Sequence, residues 1–284
     1  MTRREWLAGA GSVMAFGLTG RDTAVAGPAG DGWKVSMCDW SMGRTDASAF
    51  ELGSQIGLDG IQVSIGFPED GLKLRRKEAQ KQYLEAARKC GLSIPSVAMG
   101  VLNHVPLMSE PHAALWAADT IEAAKAVGAR NILFAFFGKG ELKEENEQDM
   151  RRVTEVMKEL APRAEKAEII LGLETYLSAE GHLKILDAVK SKWVQVYYDV
   201  YNANHEGHDY LKEIRQLGRE RICEVHFKEG ADYLGSGKID WPGVAAALKE
   251  IGYRGWLVLE TQSPSKDVVA DTKRNLEYLR KLFA

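Results

Sequence analysis

Cysteine is scarce in this chain: Cys38, Cys90 and Cys223 are the only three among 284 residues. An odd, widely spaced set is no disulfide framework, and its spacing is not that of a zinc site. Cys38 and Cys223 lie in apolar runs, which makes buried thiols the expectation for both. There is no apolar run of the roughly 18 residues that a helical membrane span needs. There is no excess of positive charge either. Lys and Arg number 37 against 40 Asp and Glu, a formal net charge of −3, so no basic field attracts nucleic acid or anionic lipid. Also missing is any composition break or linker that would divide the chain. Hydrophobic residues make up 45% and charged residues 27%, enough apolar material for a substantial globular core.

The N-terminus stands apart. Arg3 and Arg4 precede a short stretch of small and apolar residues from Leu7 to Leu18, and Ala24-Val25-Ala26 follows with the small-x-small pattern of a cleavage site. Residues 1–26 resemble a twin-arginine signal, so the expectation is an exported, periplasmic protein without stable membrane association once the segment is removed. Cleavage after Ala26 would remove Arg3, Arg4, Arg21, Glu5 and Asp22, taking the net charge from −3 to −4. The folded domain is expected over residues 30–284.

Within that domain one pattern recurs. A helical stretch closes on glycine or a polar pair, and a short β-rich run follows. Gly57-Leu58-Asp59-Gly60 leads into Ile61–Ile65, Gly91-Leu92-Ser93 into Ile94–Met99, and Gly128-Ala129-Arg130-Asn131 into Ile132–Phe137. Ile169–Glu174, Trp193–Asp199, Ile222–Lys228 and Trp256–Glu260 continue the series that Trp33–Asp39 opens, eight strands in all. Helices are expected about Asp46–Ile56, Arg76–Lys89, Pro111–Val127, Glu144–Lys166, Ser178–Val189, His208–Gln216, Pro242–Ile251 and Lys266–Phe283. Alternating strand and helix demand a parallel sheet under helical cover. Eight such units over about 250 residues fit an α/β fold of the (β/α)₈ TIM barrel type. An open doubly wound sheet is the competitor, but it usually carries a glycine-rich phosphate turn after its first strand. Here that turn reads Cys38-Asp39-Trp40-Ser41.

Side-chain alternation then locates a site. In the seventh strand Cys223, Val225 and Phe227 form an apolar set facing the helices, which turns Glu224, His226 and Lys228 into the barrel. The same reasoning turns Gln195, Tyr197 and Asp199 inward in the sixth strand, Gly172 and Glu174 in the fifth, and Glu260 in the eighth. Barrel interiors are normally filled by branched apolar residues, and active sites sit at the C-terminal ends of the strands. Three carboxylates and an imidazole converging there would repel one another strongly without a cation. One divalent ion on Glu174, Asp199, His226 and Glu260 removes that conflict. The donor set suits Mn²⁺ and tolerates Mg²⁺, Co²⁺ or Zn²⁺. Separate ion pairs at the barrel mouth, Lys228 among them, are the plain alternative. Lys228 either pairs with Glu224 or polarises a substrate oxygen. Trp40 is placed to stack on the face of a bound ring, with a core or rim aromatic the equal alternative, and His104 is placed to touch substrate, although a lone loop histidine is more often a surface residue. His205 and His208, in a polar turn, are further candidate ligands more simply read as surface residues.

Gly172-Leu173-Glu174, Tyr197-Tyr198-Asp199, Val225-His226-Phe227-Lys228 and Leu257-Val258-Leu259-Glu260-Thr261, followed by the Tyr233–Asp240 segment, resemble the xylose isomerase-like sugar isomerases and epimerases from Val35 to the C-terminus. The resemblance implies a single Mn²⁺-type ion on the four residues named above. It also implies that Glu174 and Glu260 move protons beside a carbonyl through a metal-stabilised enediolate. It implies a small carbohydrate substrate and places Glu180 near it. One departure is Asp199-Val200-Tyr201-Asn202, where Asn202 stands in for a substrate-binding histidine. Another is the lack of an arginine counterpart near Glu229–Tyr233. Epimerisation or isomerisation of an unphosphorylated sugar is the leading expectation. A lyase or dehydratase acting on a keto-sugar or keto-glycoside shares its first step. Gly235-Ser236-Gly237 offers backbone N–H groups to a phosphate. An abasic-site endonuclease would need more histidines on the early strands and a basic surface, and a non-catalytic sugar-binding barrel would not need four ligands. Oligomeric state leaves no trace in the sequence.

Overall fold

The computed structural model describes residues 33–284, so the export segment expected over 1–26 lies outside the described residues. Eight parallel strands close into a barrel in chain order. They are β1 (Val35–Cys38), β2 (Gly60–Ser64), β3 (Ser96–Met99), β4 (Asn131–Ala135), β5 (Ile170–Glu174), β6 (Val194–Asp199), β7 (Ile222–Phe227) and β8 (Leu257–Leu259). Closure is direct: Ser36 of β1 lies opposite Gly60 of β2 on one side and Val258 of β8 on the other.

The helical cover comprises α1 (Ala49–Ile56), α2 (Lys77–Cys90), α3 (Pro111–Ala126), α4 (Glu147–Ala167), α5 (Ala179–Val189), α6 (Val200–His205), α7 (Tyr210–Leu217), α8 (Trp241–Glu250) and α9 (Val268–Phe283). None of the described helices is long and apolar enough to cross a membrane. Glycine ends α1 and α2, with Gly57 at φ 93° and Gly91 at φ 69°, a left-handed geometry that lacks a Cβ penalty only for glycine. Glu168 and Lys190 adopt the same geometry after α4 and α5, at φ 60° and 57°. The short helix α6, not expected from the sequence, begins where Asp199 caps it.

Both faces of the strands are buried, as a parallel barrel requires. On the outer face Met37 Sδ meets Thr272 Oγ1 of α9 at 3.5 Å, and Phe227 stacks on Trp241 of α8 with centroids 5.0 Å apart. On the inner face the usual apolar filling gives way to a polar layer of Gln62, Ser96, Asn131, Tyr197 and Glu224, all buried.

One assignment of faces is overturned. The pairing of β6 with β7 shifts register between Val196 and Tyr197, so Cys223 falls at an irregularity rather than in strict alternation. Its Sγ sits 2.7 Å from where a Cβ on inward-facing Gly172 would stand, which places the thiol inside the barrel and not against the helices. The bulge defeats the two-residue period. Gly172 is glycine for want of room, since its Cβ would also lie 3.2 Å from the Ile132 carbonyl oxygen and from Tyr197 Cβ.

Candidate active site

Glu174 ends β5, Asp199 ends β6, His226 lies within β7, and Glu260 follows β8. Register brings Asp199 opposite His226 and carries Glu174 to the same rim. His226 Nδ1 lies 2.9 Å from Glu174 Oε1, 3.3 Å from Glu260 Oε2 and 3.5 Å from Asp199 Oδ2. One donor atom from each of the four residues falls within 4.8 Å of all the others. His226 is wholly inaccessible and Asp199 and Glu174 nearly so, whereas Glu260 keeps a fifth of its side chain open.

Each of these side chains is held by the fold. Asp199 Oδ1 accepts the backbone N–H of Asn202 at 2.7 Å, capping α6 and leaving Oδ2 to face the cluster. Oδ2 is buried and lacks an aligned hydrogen-bond donor, although Lys228 Nζ approaches it to 2.9 Å. Lys228 also donates to Glu260 Oε2 at 2.8 Å, and Trp40 Nε1 donates to Glu260 Oε1 at 3.0 Å. Trp40 projects from a turn anchored by Asp39, whose carboxylate accepts Ser64 Oγ at 2.6 Å and Ser64 N at 2.8 Å. Burial pushes the Asp39 carboxyl up to about 6 in spite of these bonds.

The electrostatics show a cluster under tension. Burial drives the Glu174 carboxyl up, against the pull of His226. Burial also acts on Asp199, but Lys228, His226 and the Asn202 amide outweigh it and hold that carboxyl down near 2. On His226 burial works against the charged form, yet Glu174, Cys38, Glu260 and Asp199 prevail and raise it well above the ordinary histidine range. Lys228 is raised too, burial being outweighed by Asp199, Glu260 and Glu174. Two buried carboxylates and the partly open Glu260 thus draw in His226 and Lys228. An Asp199 oxygen without an aligned hydrogen-bond donor and a set of three carboxylates with one imidazole fit a divalent ion with oxygen and nitrogen ligands.

The residues expected to contact substrate divide. Trp40 and Lys228 belong to the cluster, and Lys228 pairs with Asp199 and Glu260 rather than with Glu224. Glu224 lies deeper, where its carboxylate accepts hydrogen bonds from Ser96, Asn131 and Tyr197, and a lysine at the strand end does not reach it. Burial raises the Glu224 carboxyl while those three bonds oppose it. Asn202 is buried in the first turn of α6, with its backbone N–H on Asp199. His104 is exposed on the rim beside Phe67, ring centroids 6.4 Å apart. Glu180 is exposed in the first turn of α5, and no contact joins it to the cluster. His205 stacks on Tyr201 and His208 Nδ1 lies 3.5 Å from Glu213, so neither enters the metal-type cluster.

The Gly235-Ser236-Gly237 loop is corrected as a phosphate cradle. Glu229 Oε2 accepts Gly235 N–H at 3.2 Å and Glu229 Oε1 accepts Ile239 N–H at 3.0 Å, with Trp241 Nε1 also donating to this carboxylate. Ser236 N–H goes to the Tyr233 carbonyl at 3.0 Å, so two of the three amides of the run are already engaged within the chain.

Sequence reasoning missed Gln62 and Cys38 as neighbours of the site. Gln62 Oε1 lies 3.0 Å from His226 Nε2, and Cys38 Sγ lies 3.5 Å from the same nitrogen. The signal was available: Gly60-Ile61-Gln62-Val63-Ser64 alternates apolar and polar residues in a strand whose inner face should be apolar.

The xylose isomerase-like TIM barrel family profile matches residues 50–282, and the chain belongs to that family. An L-ribulose-5-phosphate 3-epimerase of Salmonella paratyphi C is 25% identical over 239 residues, which are 76% of this chain and 82% of that one. An L-ribulose 3-epimerase of a Methylomonas species is 27% identical over 239 residues, 79% of this chain and 81% of its own. The crystal structure of a 3-keto-D-glucoside 4-epimerase from E. coli superposes with a TM-score of 0.71 at 16% identity, covering 88% of this chain and 99% of that one. The expected barrel is therefore present, and the expectation of a sugar isomerase or epimerase accords with the relatives found.

Proposed function

We propose that this enzyme is a divalent-metal-dependent isomerase or epimerase of an unphosphorylated sugar or sugar derivative. The observation that carries the proposal is the convergence of Glu174, Asp199, His226 and Glu260 at the C-terminal mouth of the barrel. These four residues would hold one ion; Mn²⁺ suits the donors best, and Mg²⁺, Co²⁺ or Zn²⁺ also fit. When bound, such an ion supplies Lewis acidity beside a substrate carbonyl and offsets the negative charge that develops on its oxygen.

The chain's own groups do the proton work. Glu174 and Glu260 reach the mouth from β5 and from the end of β8. One takes the proton from the carbon next to the carbonyl, and the other delivers a proton to the opposite face, which inverts the centre. Delivery to the neighbouring carbon instead gives isomerisation. Lys228 and Trp40 hold the two oxygens of Glu260 and so aim it. Lys228 Nζ also offers a hydrogen bond to a substrate oxygen, and the Trp40 indole presents a flat face to a sugar ring. Asn202, His104 and, farther out, Glu180 complete the proposed substrate contacts.

Relatives named for phosphorylated and for free sugars are equally similar, so the names do not choose between them. The loop amides engaged by Glu229 support the unphosphorylated reading. We propose in addition that residues 1–26 direct export to the periplasm, which a comparison of cell fractions for the chain with and without Arg3→Lys and Arg4→Lys would test.

The functional test is elemental analysis of the purified protein beside His226→Ala, after reloading with Mn²⁺. About one ion per chain, lost in the variant, supports the reading. Incubation with free ketoses and keto-glycosides in D₂O then separates the chemistries: deuterium incorporated at carbon in an intact sugar indicates epimerisation or isomerisation, and release of the aglycone indicates a lyase. Absence of metal from both proteins would refute the proposal in favour of a binding barrel.

A further inference from the structure

Below the metal-type cluster a chain of buried hydrogen bonds crosses the barrel. Asn131 Nδ2 donates to Glu224 Oε1 at 2.6 Å, while Ser96 Oγ and Tyr197 OH donate to Glu224 Oε2 at 2.8 and 2.7 Å. Gln62 Nε2 donates to Ser96 Oγ at 3.0 Å and to Tyr197 OH at 2.9 Å. Gln62 Oε1 accepts the Cys38 thiol at 3.0 Å and faces His226 Nε2 at 3.0 Å. Gln62, Ser96, Glu224 and His226 are completely buried and Tyr197 nearly so, so water does not substitute for any partner.

The direction of each bond follows from the first. Both hydroxyl hydrogens are spent on one carboxylate oxygen, so Ser96 and Tyr197 have only lone pairs left for Gln62. The amide must turn its NH₂ toward them and its oxygen toward His226. An acceptor facing Nε2 calls for a proton on Nε2. In the neutral imidazole that a cation requires, the lone pair then belongs to Nδ1, the nitrogen that faces Glu174, Asp199 and Glu260.

We propose that Gln62 is a positioning residue that holds His226 in its Nε2–H form and so commits Nδ1 to the cation. The proposal rests on the metal reading above and adds how the floor of the barrel, through Glu224, Ser96 and Tyr197, sets the orientation of the ligand. Partners of this kind, one step removed from a metal, typically change affinity by about 10–100-fold when lost.

The test uses Zn²⁺ as a diamagnetic probe on the full chain with ¹⁵N-labelled histidine. Long-range ¹H–¹⁵N correlation, assigned by the signal missing in His226→Ala, reads which nitrogen carries the proton. The loaded wild type is expected to show a protonated Nε2 and a zinc-bound Nδ1. Gln62→Met, similar in length but with only a weak thioether acceptor in place of the amide oxygen, is expected to bind Zn²⁺ about 10–100-fold more weakly in competition with a chelator. Gln62→Glu, which keeps an acceptor for Nε2, is expected to retain the Nε2–H signal. A proton on Nδ1 in the loaded wild type would overturn the proposal even if neither variant folds, and so would wild-type affinity in Gln62→Met. A wild type that takes up no Zn²⁺ would instead overturn the metal reading and this proposal with it.

Discussion

Lys228 offers the sharpest test of how the cluster is balanced. Its ammonium lies 2.9 Å from Asp199 Oδ2 and 2.8 Å from Glu260 Oε2, with about a fifth of the Lys228 and Glu260 side chains exposed. Lys228→Met keeps much of the aliphatic stem and removes the charge. Breaking a buried ion pair from one side costs about 3–5 kcal/mol because a desolvated charge is left behind. Partial exposure argues for the lower end, about 3 kcal/mol, or roughly 6–12 °C in Tm for a chain of this size. That loss is expected in the presence of chelator. With saturating Mn²⁺ or Zn²⁺ the cation replaces the missing ammonium beside Asp199 and Glu260, so the gap between variant and wild type should shrink to less than half. Scanning calorimetry of both proteins, with chelator and with metal, measures it. Equal losses in the two conditions would refute the reasoning, since Lys228 would then act through packing rather than through the charge that the cation shares.

The remaining expectations are briefer. Metal affinity should rise with pH, because the carboxylates hold His226 protonated and its Nδ1 proton must leave before a cation binds; calorimetric titration in buffers of different ionisation enthalpy would detect the released proton, and pH-independent affinity would contradict it. Asp199 titrates near 2, below its unfolded value of 3.8, so its contribution to stability is present above about 4 and is lost as pH falls through 2, visible as a declining Tm over that interval. Gly172→Ala should destabilise by about 1–3 kcal/mol in a denaturant titration, because its Cβ would meet Cys223 Sγ at 2.7 Å; unchanged stability would mean that the barrel yields there. Lys190→Gly should stabilise by up to about 1 kcal/mol, since Lys190 carries φ 57° and glycine takes that conformation without a Cβ clash.

The sequence by itself determined the barrel and the four residues of the cluster at its mouth. The eightfold alternation of helix and short apolar strand is a local signal, repeated wherever a glycine or polar pair ends a helix. The inward direction of Glu174, Asp199, His226 and Glu260 follows from apolar neighbours such as Leu173, Tyr198, Val225 and Leu259, because a strand has a period of two residues. The family resemblance then joined these positions into one site. What lies between strands was decided only in three dimensions. Gln62 and His226 are 164 positions apart, and nothing local reports that β2 and β7 face each other across the lumen. Cys223 escaped the period because a register shift is a property of two strands rather than one. Lys228 chose Asp199 and Glu260 over Glu224, and Glu229 took the amides of the Gly235–Ile239 loop, because a hydrogen bond or ion pair forms at about 3 Å while sequence pattern gives only a direction. Periodicity says which way a side chain points; closure, register and depth in the barrel determine what it meets.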